Sequence, residues 1–302
     1  MTKIYSGTAG WSYKDWIGPF YPKAQSSNFD WLSFYSHYFN CVEVNSTYYT
    51  YLNPRVVEGW VKKVVDNDDF LFNIKLHQDF THKKDYDKQK IKAFYDTLGI
   101  LKRAERLGGL LIQFPYSFSF NDPNINYVKE MREIFQNYDC FLEVRHKSWL
   151  NKDALELFKK HDLVYTTIDQ PQIGQSMPLE LIVTNGKAYI RLHGRNREAW
   201  IKSLNNFGKK QTYEEQSERY SYLYSTAELI EVQQVIEPLL KTIKVIYVIL
   251  NNHPKGDAVA NAFEMTSMLE NNIRVDIPKT ILSAFPRLSR IAQDENNFSL
   301  RP

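Results

Sequence analysis

Three carboxylates and a histidine, Glu43, Glu143, Asp169 and His193, lie at the ends of short apolar runs, and four cations, Lys75, Arg145, Arg191 and Arg195, occupy comparable positions. Carboxylates beside a histidine can exchange protons as general acid and base, or ligate a metal. Guanidinium groups present a planar fork of donors that suits phosphate or carboxylate. The combination points to a catalytic set of Glu43, Glu143, Asp169 and His193 acting on an anion held by the cations.

Strands are needed to bring such distant residues together. Apolar runs rich in Ile, Val, Phe and Tyr occupy 3–8, 41–45, 70–76, 109–114, 140–145, 163–169, 188–193 and 245–251. They read as strands covered on both faces. Helical patterns lie between them at 29–38, 54–66, 87–107, 125–136, 152–160, 214–241 and 257–270, with Asn53 and Pro54 forming a helix-start signal. Eight strands in βα alternation predict an α/β fold, a single TIM-like (β/α)8 barrel over residues 1–286, followed by a polar tail at 287–302. The rhythm breaks between strands six and seven, where 170–187 shows no helical pattern. The next connection, 194–213, reads as a long polar loop carrying Trp200 and Phe207.

Alternate residues of a barrel strand point inward, and the last inward residue faces the C-terminal mouth. Parity groups Glu43 with Cys41 and Asn45, Glu143 with Phe141 and Arg145, and Lys75 with Asn73 and His77. It also selects Gln113 with Leu111, Asp169 with Tyr165 and Thr167, Arg191 and His193 with Tyr189, and Asn251 with Tyr247 and Ile249. Barrel enzymes work at this face. With three carboxylates against four cations, internal pairing is expected, with a slight surplus for an anionic ligand. Lys75 is expected to stay protonated as a counter-ion between Glu43 and Glu143, since nearby carboxylates raise a lysine's pKa; the competing reading of a lysine between apolar neighbours is a Schiff-base nucleophile.

The first βα loop, GTAGWSY, offers Trp11 and Tyr13 as stacking surfaces, but it lacks the spacing of a phosphate loop. His82 and His146 fall in mouth loops and rank below His193. Asn251 and Asn252 precede a helix, where loops after the last strands commonly bind phosphate, although Asp257 weakens that site. Glu43, Glu143, Asp169 and His193 also admit a divalent metal. The interleaved cations, and the lack of HxH or HExxH spacing, favour ion pairs instead. A carboxylate pair for glycoside hydrolysis would come from strands four and seven of many barrels. Here those strands end in Gln113 and His193.

Composition narrows the partners. A formal charge of +3, from 38 Lys and Arg against 35 Asp and Glu, is too small for a general DNA-binding surface, so nucleic acid is a weakly supported partner. Cys41 and Cys140 sit in apolar runs as buried thiols, which excludes a disulfide scaffold. There is no signal-type start and no apolar stretch of 18 residues, so a cytoplasmic protein with no membrane partner is expected.

The ordered segments GTAGWSYKDWIGPFYP, VEVNSTYY, FNIKLHQDFTH, LGGLLIQFPYSF, LEVRHKSWL, YIRLHGRN and VILNNHPKGDAVANA resemble the YecE-like family of TIM barrels (domain of unknown function 72). Ala9 and Leu250 depart from the family pattern without removing a polar mouth residue. The resemblance implies the barrel fold and, by its motifs, the site residues Trp11, Tyr13, Glu43, Asn45, Lys75, His82, Gln113, Glu143, Arg145, Trp149, Arg191, His193, Arg195 and Asn252; it implies no activity. The leading expectation is an enzyme, with hydrolysis among its candidate reactions, acting on an anionic, phosphorylated or nucleic-acid-derived ligand. The alternatives are a non-catalytic ligand- or partner-binding barrel and a carbohydrate-active hydrolase.

Overall fold

The computed structural model of the chain describes residues 2–206 and 212–293. Its strands are β1 (Lys3–Ala9), β2 (Cys41–Val44), β3 (Leu71–Lys75), β4 (Leu107–Gln113), β5 (Cys140–Glu143), β6 (Leu163–Asp169), β7 (Lys187–Leu192) and β8 (Val245–Leu250). Each pairs in parallel with the next, and β8 pairs back with β1 to close the barrel. This is the (β/α)8 architecture read from the alternation of apolar runs.

The strands are almost wholly buried on both faces, which is why their sequences lack a polar alternate face. The helices covering them are α1 (Trp31–Tyr38), α2 (Pro54–Lys63), α3 (Lys88–Arg103), α4 (Asp122–Ile134), α5 (Lys152–Lys160), α6 (Arg197–Asn205), α7 (Tyr213–Ser217), α8 (Thr226–Ile236), α9 (Asp257–Leu269) and α10 (Lys279–Ala284). Asp30, Asn53, Asp87, Asn121 and Asn151 cap α1 to α5, each accepting a first-turn N–H that has no partner within the helix.

Two apolar layers result. The larger lies between strands and helices. The smaller fills the lumen with Tyr5, Cys41, Leu111, Phe141, Val164, Tyr189, Tyr247 and Ile249, among others. Phe141 and Tyr189 stack there at 4.3 Å, and Tyr5 and Tyr247 at 5.0 Å. Gly109 makes room for this packing, since a Cβ on it would lie 2.4 Å from the Phe141 ring. The lumen below the mouth is thus largely plugged by rings and aliphatic side chains.

Three expectations need correction. The parity assigned to β6 is reversed: register pairs Thr166 with Tyr189 and Ile168 with Arg191, and Val164 lies in the lumen core. Tyr165, Thr167 and Asp169 therefore face outward. The reason is the irregular 170–186 segment, which replaces a covering helix there. It accepts a hydrogen bond from Thr167 Oγ1 through the Glu180 carbonyl and one from the Tyr165 N–H through Thr184 Oγ1, each at 3.0 Å.

The expected helix at 214–241 is broken, because 221–225 is extended and buries the Tyr224 ring. Capping boxes at Thr212 and Ser225 start α7 and α8 separately. The supposed loop at 194–213 contains α6, capped by Asn196 and burying Ala199 and Trp200; Phe207 lies outside the described residues. At the other end, Leu288 is buried and Val275 bridges Ala292, while the tail beyond 293 also lies outside the described residues. Among the described residues no helix is long and apolar enough to cross a membrane. Both cysteines are buried and free.

Candidate functional site at the barrel mouth

Period-two alternation along β2, β5 and β7 puts Glu43, Glu143 and Arg191 in one layer above the aromatic plug, all fully buried. Arg191 grips Glu43 with both sides of its fork, Nε to Oε2 at 2.8 Å and an Nη to Oε1 at 2.6 Å. Its other Nη donates to Glu143 Oε2. Tyr189 adds a hydroxyl donor to Glu43 at 2.9 Å, and Arg145 donates to Glu143 Oε1 at 2.7 Å. Two carboxylates and two guanidiniums thus form one neutral chain. Such a chain survives burial only because every charge in it is paired and hydrogen-bonded.

The electrostatics follow from these contacts. Burial works to raise the pKa of Glu143, but Arg191 and then Arg145 outweigh it and hold the carboxyl well below its ordinary value. His193 is pushed down to about 3, by burial first and then by Arg191. Its Nε2 lies 3.4 Å from Arg191 and 3.5 Å from Arg145, so a second positive charge has no place there. Asn251 fixes the ring from the other side, 2.8 Å from Nδ1. His193 is therefore a neutral spacer that helps to hold the guanidiniums.

Above this floor lies a cleft of about 350 Å³. Its walls come from four loops: Trp11 and Tyr13 after β1, Asn45 and Tyr49 after β2, Arg219 and Tyr220 after β7, and Asn251 and His253 after β8. The turn into the first loop needs Gly10, whose φ is +88° and whose added Cβ would lie 2.8 Å from the Tyr13 hydroxyl. Trp11 meets Trp60 edge-on at 5.4 Å, and Tyr13 stacks on His253 at 4.5 Å. Lys75, Arg145, Arg191 and Arg219 face this space, and among the described residues no carboxylate lines it.

Lys75 departs from its expected role as a counter-ion. Among the described residues it makes no ion pair, and its Nζ lies 4.3 Å from the centre of the Tyr48 ring. The reason is competition: Glu43 and Glu143 are already held by arginines. Burial first, and Arg191 next, lower the Lys75 pKa to about 7, while Glu143 and Glu43 offset only part of the shift. A second departure is Tyr220. Burial works to raise its phenol pKa, but Arg219, Arg145 and Arg191 together bring it below the ordinary value.

Of the expected site residues, Trp11, Tyr13, Asn45, Lys75, Arg145, Arg191 and Asn251 come together around the cleft, with Glu43, Glu143 and His193 beneath it. The Asn45 Oδ1 is buried without a partner. Gln113 is buried next to Glu143 in the register and donates to the Phe114 carbonyl. His82 stands exposed on the rim, edge-on to Tyr48 at 5.2 Å.

Five others are not brought to the cleft. Trp149 is buried in the outer layer, stacked on Phe118 and donating to its carbonyl. Asn252 donates to the Tyr222 carbonyl and to Asn261. Asp169, on the outward face of β6, accepts from the Tyr224 hydroxyl at 2.5 Å and pairs with Arg195 at 3.0 Å. Arg195 continues to Glu231 at 2.7 Å. His77, grouped inward by parity, instead stacks on Tyr51 and faces Asp79.

A metal does not fit this arrangement. The inner carboxylates are filled by guanidinium, Asp169 faces away, and among the described residues no three His, Cys, Asp or Glu side chains converge. Arg219 and Tyr220 were missed from sequence because they lie inside the span read as one long helix; the Thr-x-x-Glu and Ser-x-x-Glu capping boxes on either side are the signal that separates them. Tyr224 gives a direct check on the outer group. Tyr224→Phe leaves Asp169 and the Gly194 N–H each short of a partner. Urea unfolding should show a loss of about 1–3 kcal/mol, with ligand binding in the cleft unchanged.

Residues 5–282 match the family described as "Protein of unknown function DUF72". The chain belongs to the DUF72 family. This agrees with the YecE-like resemblance of its ordered motifs. The DUF72 chain is 30% identical over 279 residues to the UPF0759 protein YunF of Bacillus subtilis strain 168, covering 88% of this chain and 95% of that protein. A DUF72 crystal structure from Thermotoga maritima MSB8 superposes with a TM-score of 0.77 at 31% identity, over 89% of this chain and 99% of the other. A second, from Enterococcus faecalis V583, gives 0.76 at 26% identity, over 91% and 98%. The fold is thus shared with experimentally solved relatives.

Proposed function

We propose that the cleft binds a small phosphorylated or similarly oxygen-rich anion, on which the protein acts as an enzyme. The observation that carries this reading is the segregation of charge. Both inner carboxylates lie beneath the floor and orient Arg191 and Arg145, while among the described residues four cationic side chains and no carboxylate face the space above. Guanidiniums held in this way need little ordering when an anion arrives, which favours binding. The volume suits a small molecule rather than a polymer, since small-ligand sites run from roughly 300 to 1,000 Å³.

The aromatic rim favours one narrower form of ligand. Tyr49 is 65% exposed beside the cleft, and Trp11 and Trp60 also line it. A ligand with a flat ring, such as a mononucleotide, can lay it there. Carbohydrate hydrolysis is supported least, because it needs two carboxyls flanking a sugar bond and neither Glu43 nor Glu143 lines the cleft.

Titration calorimetry with phosphate monoesters, sugar phosphates and mononucleotides at low ionic strength tests the proposal. Binding that weakens as salt is added is the expected outcome. If no phosphate ester binds at any ionic strength, the proposal fails. Turnover of a bound ester separates an enzyme from a binding barrel.

A further inference from the structure

We infer that Lys75 is a covalent nucleophile that forms a Schiff base with the carbonyl carbon of a phosphorylated aldehyde or ketone seated in the cleft. The inference rests on the anion-binding reading above and names the substrate class for that same site.

The geometry separates Lys75 from every role a lysine commonly has. It is not a counter-ion, because the nearby carboxylates are taken: Glu43 by Arg191, and Glu143 by Arg191 and Arg145. It is not a solvated surface cation, because it is only partly exposed, between buried Ile74 and Leu76 at the end of β3. It lines the cleft together with Arg145, Arg191 and Arg219. Those guanidiniums can hold a phosphate while an amine approaches another carbon of the same molecule.

The groups that set its protonation come from several elements. Glu43 on β2 and Glu143 on β5 favour the ammonium form. Arg191 on β7 and Arg145 after β5 oppose it, as does burial. Tyr48 offers its ring face, and His82 lies edge-on to the same tyrosine and feels the Lys75 charge. The balance brings Lys75 to about 7, so a large share is free amine near neutral pH. Desolvation beside other cations is a recognised way of activating an amine for carbonyl chemistry.

The step balances without an oxidant or reductant. The Nζ lone pair attacks the carbonyl carbon and forms the C–N bond, and the π pair moves to oxygen. That oxygen takes up the proton that nitrogen gives up, yielding a carbinolamine. The hydroxyl takes a proton from solvent and leaves as water while the nitrogen lone pair forms the C=N bond, so the product is an iminium that keeps its N–H. That cation draws electrons from the adjacent carbon, which is what makes such an adduct useful for breaking or rearranging bonds there.

Pyridoxal 5′-phosphate and pyridoxal serve as probes, an aldehyde with and without phosphate. Each is incubated with the full-length protein across a pH series and reduced with borohydride, which adds hydride to the imine carbon. Adducts are located by peptide mass. The expected result is one dominant adduct at Lys75 with the phosphorylated aldehyde, much less with pyridoxal, and suppression by inorganic pyrophosphate. The yield should rise as pH passes through about 7, whereas ordinary surface lysines titrate near ~10.4. Lys75→Arg should abolish the adduct while keeping the fold, and site mapping on the unaltered protein does not depend on any variant.

Labelling spread over surface lysines, or unchanged in Lys75→Arg, overturns the inference. If pyridoxal 5′-phosphate binds reversibly in competition with pyrophosphate yet leaves no adduct at Lys75, the nucleophile is wrong and the anion site stands. If neither binds, the anion-site reading itself falls.

Discussion

Arg191→Met should destabilise the protein by roughly 3–5 kcal/mol, the range for removing one partner from a buried ion pair. The side chain is almost wholly buried, and among the described residues its guanidinium is the only donor that reaches both Glu43 and Glu143. Methionine fills much of the volume but leaves Glu43 with the Tyr189 hydroxyl alone. The penalty is that of buried charge rather than of a cavity, so it should depend on pH in a defined direction.

In the unaltered protein Glu143 is held below its ordinary pKa. Its contribution to stability is present above the unfolded value, near ~4.3, and is lost as pH falls through the lower folded value. Without Arg191 the largest influence holding the Glu143 carboxyl down is gone, and burial, which raises it, weighs more. Acidification should then cost the variant less than the parent, and the gap between them should narrow. Guanidinium unfolding at neutral and mildly acidic pH reads both effects. Adding Glu43→Gln and Glu143→Gln should restore more than half of the loss. If the variant unfolds like the parent, the floor is not an ion-paired unit.

Arg145→Ala should weaken binding of a phosphate ester by about 10- to 100-fold, from the ~1.5–3 kcal/mol typical of a hydrogen bond to a charged group. Arg145 is the more accessible of the two inner guanidiniums, with 12% of its side chain exposed to the cleft. Its loss leaves Glu143 still paired with Arg191, so stability should fall by only about 1–2 kcal/mol. Arg195→Ala is the control. That arginine belongs to Asp169 and Glu231 on the outside of the barrel, and its removal should leave the affinity unchanged. Titration calorimetry on the three proteins decides the matter; equal affinities would remove Arg145 from the site.

The contrast between these arginines marks where residue identity stops being informative. Arg191 lies in β7, Arg145 and Arg195 lie just beyond β5 and β7, and each reads as a mouth cation. All three share the inward parity of their strands, yet Arg195 turns outward to Asp169, which parity had also placed inward. Parity failed on β6 because Val164, Tyr165, Thr166, Thr167 and Ile168 are acceptable on either face. The choice was made by the irregular 170–186 segment, whose carbonyls and hydroxyls engage Thr167 and Tyr165. On β2, β5 and β7 the charged residue alternates with valine, leucine or isoleucine, and there the period settled the direction.

Much was therefore determined by the sequence alone: eight buried strands in order, their closure into a barrel, the location of the polar groups at one end, and the residues of the inner layer. These follow from local periodicity, which each segment carries within itself. Only the tertiary structure decided the electrical character of the mouth. Glu43 meets Arg191 across 148 residues of chain, and no spacing rule specifies that pairing. Once it forms, the carboxylates sink beneath the floor, Lys75 loses its expected counter-ions, and Arg219 and Tyr220 arrive from the α7 region to close the wall. A mouth that reads as charge-balanced along the chain becomes a cation-lined cleft, because burial selects which charges are neutralised and which face the solvent.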